Sequence, residues 1–258
     1  MVHREVALLL YEAMRSRRAI EPLSDQYPGM SVADAYRIQH EMVEMWKGPQ
    51  GRVVGHKVGL TSRAMQQLLN VHEPDFGCLV DSMIVPEGTT LSAGDFLLPR
   101  VEAEIAFVLD RDLSGPGVSG RDVIRASAAV MPSIEVIDSR IAGWKIKIQD
   151  TVADNGSSAR AVPGSVMTSP YGLDLRLIGM MLEEDGEMRQ TAAGAAAWGD
   201  PAMAVAWLAN KLAEFGETLK AGEVILSGSL GSALTVRPGS TYRATFDRLG
   251  SVSIAFVA

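Results

Sequence analysis

The chain has 258 residues, a length that fits one large domain or a domain with a smaller helical attachment. Apolar residues make up 47% and the formal net charge is −7, which suits a soluble globular protein and argues against a nucleic-acid partner. A lone cysteine, Cys78, excludes an internal disulfide framework, and no apolar run reaches membrane-spanning length.

The opening run MVHREVALLLYEAMRSRR is broken by charge and lacks a signal-peptide cleavage region, so a cytoplasmic protein is expected. Residues 4–18 read as a helix with Leu9, Leu10, Ala13 and Met14 on its apolar side. EPLSDQYPGM (21–30) is a connection. Ser31, with Asp34 three positions on, caps a second helix that runs to about Trp46. Its stripe is Val32, Ala35, Ile38, Met42 and Met45. Residues 1–50 are therefore expected to form an N-terminal helical region, and 51–258 the catalytic domain.

The pattern changes at Arg52. VVGHKVGL (53–60) reads as a strand, 61–70 as a short helix, 73–77 and 92–95 as turns, and 100–109 as a strand. Residues 122–130 read as a helix and MPSIEVI (131–137) as a strand. Asp185-Gly186 marks a hairpin turn. Residues 201–215 are a helix opened by Pro201, and 224–229, 242–246 and 252–257 are strands. Without regular strand–helix alternation, the class expected is α+β.

Two-residue periodicity puts Glu102 and Glu104 on one face of their strand, away from Val101, Ala103 and Ile105. Carboxylates sharing a space repel unless protonated, paired or bridged by a cation. Glu135 interrupts an apolar stretch, where charge asks for a partner. A hard cation such as Mg²⁺ or Mn²⁺ would satisfy all three; the alternative is a solvated strand face with Glu102 paired to Arg100. Lys57, among valines and glycines, is a candidate for a lowered pKa or for anchoring a substrate anion, or else snorkels from an edge strand. His56 points the other way and reads as structural. Asp75 lies in the 73–77 turn. Asp154 and Asn155 read as a surface loop, with a binding loop as the alternative. There is no Walker A pattern, dinucleotide fingerprint, C-x-x-C pair or G-x-S-x-G elbow.

Six stretches together resemble the 2-keto-4-pentenoate hydratase family of the fumarylacetoacetate hydrolase superfamily. They are GHKVGLTSRAMQQLL (55–69), VHEPDFGCL (71–79), PRVEAEIAFVLDRDL (99–113), MPSIEVIDSRI (131–141), DTVADNGSS (150–158) and LKAGEVILSGSLG (219–231). The resemblance implies a rolled, mixed β-sheet core with surrounding helices behind an N-terminal helical region. It implies that Glu102, Glu104 and Glu135 ligate Mg²⁺ or Mn²⁺, and that Lys57 and Asp75 act beside the metal. It places Leu60, Ser62, Asn155, Ser227 and Gly228 near the substrate or its support. The superfamily's hydrolase branch uses a histidine–glutamate base with no clear counterpart here, so C–C hydrolysis is not expected.

The implied reaction is hydration of 2-hydroxypenta-2,4-dienoate to 4-hydroxy-2-oxopentanoate in aromatic-compound catabolism. Decarboxylation of 4-oxalocrotonate (2-oxo-3-hexenedioate) uses closely similar motifs and stays open. A non-catalytic scaffold or binding subunit is the alternative of another class. The resemblance also implies a homo-oligomer, with association to another pathway enzyme as a further possibility, and no nucleic-acid or membrane partner.

Overall fold

A computed structural model describes residues 2–63, 66–67 and 70–258. Helix α1 (His3–Ser16) ends where Arg17 turns left-handed, at φ 55°. A short helix, α2 (Leu23–Gln26), sits inside the expected connection, and α3 (Val32–Lys47) follows. The capping box is formed: the Asp34 N–H donates to Ser31 Oγ at 3.1 Å and the Ser31 N–H to Asp34 Oδ2 at 3.2 Å. Leu10, Ile38 and Met42 from these helices share one core with Val58, Phe76 and Ile105.

The first sheet contains β1 (Val53–Gly59), β2 (Asp75–Val80), β4 (Arg100–Leu109), β5 (Ser127–Ile137), β6 (Ser158–Pro163) and β9 (Val224–Ser229). Their order is β2-β1-β9-β4-β5-β6, with β10 (Leu234–Thr235) added on β4. The β1–β9 pair is parallel and the β4–β5 and β4–β9 pairs are antiparallel, so the sheet is mixed. The second sheet runs β3-β12-β11-β7-β8, built from β3 (Thr90–Ser92), β7 (Gly179–Glu184), β8 (Glu187–Ala193), β11 (Thr241–Phe246) and β12 (Gly250–Val257). Helices α4 (Gly120–Ala126), α5 (Ile148–Ala153) and α6 (Pro201–Ala213) complete the α+β fold, a curled mixed-sheet core preceded by helices.

Three local expectations are corrected. The helix expected over 122–130 stops at Ala126, because Ser127 and Ala129 pair with Leu109 and Val108. Sheet pairing overrides the helical preference of those small residues. The turn expected over 73–77 is half strand, since Asp75 opens β2 opposite Gly59. Asp154 and Asn155, expected on a surface loop, are fully buried. Of the helix expected over 61–70, Arg63, Gln66 and Gln67 are helical, and Ala64, Met65, Leu68 and Leu69 lie outside the described residues.

Candidate metal centre

Strand β4 presents Glu102 and Glu104 on one face, as their spacing dictates. The antiparallel partner β5 sets Glu135 directly across from Glu102. One carboxylate oxygen from each lies within 4.8 Å of the others, and no other group of this kind stands among the described residues. Glu104 and Glu135 are buried. Glu104 Oε2 accepts the Gly228 N–H at 2.7 Å. That amide is aimed by a left-handed backbone, φ 101°, with no room for a side chain: a Cβ on Gly228 would lie 2.4 Å from the Thr61 side chain.

The cluster is electrostatically strained. Burial, opposed by Lys57 and reinforced by Glu135, pushes Glu102 from 4.5 up to about 7. Burial, then Glu135 and Glu102, raise Glu104 well above the ordinary carboxylate range. Burial also raises Glu135, against the pull of Lys57. Neither Glu135 oxygen has a hydrogen-bond partner. Converging hard oxygen donors, two of them orphaned and buried, fit a divalent cation of the Mg²⁺ or Mn²⁺ kind.

Lys57 stands beside this cluster. Its Nζ lies 3.4 Å from Glu135 Oε2 and donates to the Gly156 carbonyl at 3.1 Å. The side chain is only 3% exposed, and its strand is covered by β2, so it does not snorkel from an edge. Burial works against its charge and would lower its pKa as expected, but Glu135 and Asp75 outweigh that and raise it instead. Asp75 is buried too; its Oδ2 accepts from Thr151 Oγ1 at 3.1 Å, and its Oδ1 has no partner. Burial raises the Asp75 pKa despite Lys57. Gly59 makes the space: a Cβ there would sit 2.1 Å from Asp75 Oδ1 and 3.2 Å from Lys57 Nζ.

The remaining sequence candidates divide. Asn155 grips β2, its Oδ1 accepting from the Cys78 N–H at 2.7 Å and its Nδ2 donating to the Cys78 carbonyl at 2.9 Å. Gly228 touches the cluster through its amide. The Ser227 hydroxyl donates to the Ile105 carbonyl at 2.8 Å, which ties β9 to β4. Leu60 is left-handed, φ 54°, and its carbonyl accepts from Gln66 Nε2 at 2.7 Å. Ser62 is half-buried, next to Thr61. Thr61 also lines a cavity of about 710 Å³ with Arg63, Gln66, His72 and Trp198. The sequence reading passed over Thr61, Thr151, Gly156 and Arg140. Gly156, between two polar residues in a short turn, was the one with a local signal.

The sequence profile described as Fumarylacetoacetate (FAA) hydrolase C-terminal matches residues 53–257. The 2-hydroxyhexa-2,4-dienoate hydratase of Comamonas testosteroni is 47% identical over 249 residues, covering 96% of this chain and 94% of that protein. The 2-keto-4-pentenoate hydratase of Paraburkholderia xenovorans (strain LB400) is 47% identical over 252 residues, covering 98% and 94%. Among solved structures, 4-oxalocrotonate decarboxylase from Pseudomonas putida G7, complexed with magnesium and adipate, superposes with a TM-score of 0.94 at 37% identity, covering 100% of this chain and 99% of that one. Fold, carboxylate cluster and sequence agree: the chain belongs to the fumarylacetoacetate hydrolase superfamily, within its 2-keto-4-pentenoate hydratase family.

Proposed function

We propose that this chain is a divalent-metal-dependent lyase of small 2-oxo and enol acids, and that it hydrates a short 2-hydroxy-2,4-dienoate such as 2-hydroxypenta-2,4-dienoate. The observation that carries hydration is the Lys57–Asp75 pair beside the carboxylate cluster, with Asp75 Oδ1 buried and unpartnered. Decarboxylation adds no water, whereas hydration needs a group to hold one.

Glu102, Glu104 and Glu135 would hold the metal. When bound, it supplies Lewis-acid stabilisation of charge developing on the substrate's 2-oxygen. The chain's own groups do the rest. Asp75 Oδ1 accepts a hydrogen bond from the water that adds at C4 and takes its proton. The Lys57 ammonium donates to the Gly156 carbonyl, lies in ion-pair range of Glu135, and keeps donors for substrate or water. Its charge also steadies the anionic substrate. Overall, the dienol loses its 2-hydroxyl proton as its far carbon gains one, the water's hydroxyl adds at C4, and the water's remaining proton arrives at C3.

A second reading, decarboxylation of 2-oxo-3-hexenedioate, has its own support. The solved decarboxylase matches the whole chain, and such structures back this reading more directly than they back hydration. The cavity beside Thr61 carries the Arg63 guanidinium and the His72 imidazole, side chains suited to hydrogen-bonding a second carboxylate. Both substrates should be assayed side by side with Mg²⁺, with carbon dioxide measured separately. Consumption of the dienoate without carbon dioxide is the expected result. Carbon dioxide from the enedioate, with an inert dienoate, would replace hydration by decarboxylation. Turnover of neither, nor of any of a panel of other 2-oxo acids with metal present, would leave a binding subunit.

The pathway proposed is aromatic-compound catabolism, on the chemistry of the relatives' substrates. A cytoplasmic homo-oligomer is also proposed; among the described residues no helix is long and apolar enough to cross a membrane.

A further inference from the structure

Arg140 is 1% exposed and lies outside the metal cluster. Its guanidinium brackets one short turn. Nη2 donates to the Asp154 carbonyl and Nη1 to the Ser158 carbonyl at 3.1 Å, so both ends of residues 154–158 hang on one side chain. Nη1 also reaches the Asp138 carbonyl at 2.7 Å, and Nε pairs with Asp154 Oδ1 at 2.5 Å. The other Asp154 oxygen accepts from the Arg140 N–H at 3.0 Å, from Ser157 Oγ at 3.1 Å and from Ser139 Oγ at 3.3 Å. A buried pair with this many satisfied bonds fixes a geometry, whatever its net stability.

The geometry it fixes is unusual. Asn155, Gly156 and Ser157 are all left-handed, with φ of 57°, 60° and 54°. Non-glycine residues adopt that region at a cost and persist there only when their surroundings hold them. The turn then does two things. The Gly156 carbonyl takes the Lys57 ammonium, and the Asn155 side chain clamps Cys78 on β2, the strand that Asp75 opens. Gly77 permits the approach, since a Cβ there would meet the Asn155 carbonyl oxygen at 2.4 Å. Helix α5, just before the turn, adds the Thr151 bond to Asp75.

We infer that Arg140 and Asp154 are positioning residues: the pair holds the 155–157 turn in its left-handed form, and through it sets Lys57 and Asp75 relative to each other and to the carboxylate cluster. This rests on the reading of Lys57 given above. Neither residue touches substrate; both act through the Gly156 carbonyl and the Asn155 side chain.

The test compares Asp154→Asn, Gly156→Ala and Lys57→Met with the wild type. Gly156→Ala spares the pair, and its Cβ would press on Lys57 Cδ at 3.1 Å and Nζ at 3.3 Å, so it reads the turn even where Asp154→Asn fails to fold. Steady-state kinetics, Mg²⁺ titration by calorimetry and thermal melting are measured on each. Displacing Lys57 should lower kcat by roughly a hundredfold in Gly156→Ala and in folded Asp154→Asn. KM should rise as well, because the Lys57 charge moves away from the anionic substrate, while Mg²⁺ affinity should fall by no more than about twofold, because the three metal ligands are untouched. Folded variants that melt earlier yet keep wild-type kcat would overturn the inference and leave a purely structural pair. Wild-type kcat in Lys57→Met would overturn the Lys57 reading and this inference with it, a result distinct from loss in Lys57→Met alone, which overturns only the inference.

Discussion

Glu102→Gln in metal-free protein is the sharpest probe of the carboxylate cluster. The folded chain holds the Glu102 proton up to about 7, while the ordinary value is 4.5. Between those pH values the folded state binds more protons than the unfolded chain, so stability falls as pH rises. That rise in pKa corresponds to on the order of 3 kcal/mol for this group. At this chain length that is roughly 6–12 °C in Tm. Glu104 and Glu135, raised in the same direction, add to the loss. Lys57 does not contribute to the slope here, since it stays protonated in both states across the neutral range. The assay is thermal melting from pH 5 to 8 in chelator, for wild type and Glu102→Gln. The wild type should lose several degrees more than the variant over that interval. Saturating Mg²⁺ should reverse the wild-type trend, because binding requires ionised ligands and strengthens as they lose their protons. Identical pH dependence in the two metal-free proteins would refute the argument that these carboxylates repel in a shared buried space.

Two further outcomes follow from the surroundings. Burial opposes charge on His56, but Cys78 and Glu223, whose Oε2 lies 3.3 Å from His56 Nδ1, push its pKa up to about 10. Its contribution to stability is complete below its ordinary value of 6.5 and is lost as pH climbs to about 10, so His56→Gln should flatten the alkaline slope in denaturant melts. An unaltered slope between pH 7 and 10 would count against a charged His56. Gly228→Ala should cost roughly 1–3 kcal/mol through strained backbone and collision with Thr61, and weaken Mg²⁺ binding by moving the amide from Glu104. Calorimetry that finds wild-type metal affinity in this variant would show that the Gly228 amide does not position Glu104.

Much of the cluster was legible because strand periodicity is a local rule. Glu102 and Glu104 needed only their spacing, and Glu135 only its apolar neighbours. Lys57 stood out for the same reason. Asp75 was found through resemblance but misplaced in a turn, because the pairing that makes it strand comes from Gly59, across an intervening segment. The 154–158 turn was misread more deeply. Its polar, glycine-containing string looks solvated, and nothing within it announces that Arg140 enters from another element to satisfy its carbonyls. Burial of a polar turn is a tertiary fact, decided by a side chain whose own neighbours, Ser139 and Ile141, say nothing about where it will point. The helix–strand boundary at Ser127 failed likewise, because β4 recruits alanines that would otherwise extend α4.

The pairing of Glu102 with Glu135 also makes the centre sensitive to parity. Deleting Ala103 alone would throw Glu102 and Glu104 onto opposite faces, since successive residues of a strand alternate. Length changes at exposed positions of the segment between β4 and β5, such as Gly117 and Ser119, leave that alternation untouched. The gene can therefore drift in length between these strands while odd-numbered losses inside them are silenced, so that indel tolerance along the chain should map the ligand-bearing register without any measurement of the metal.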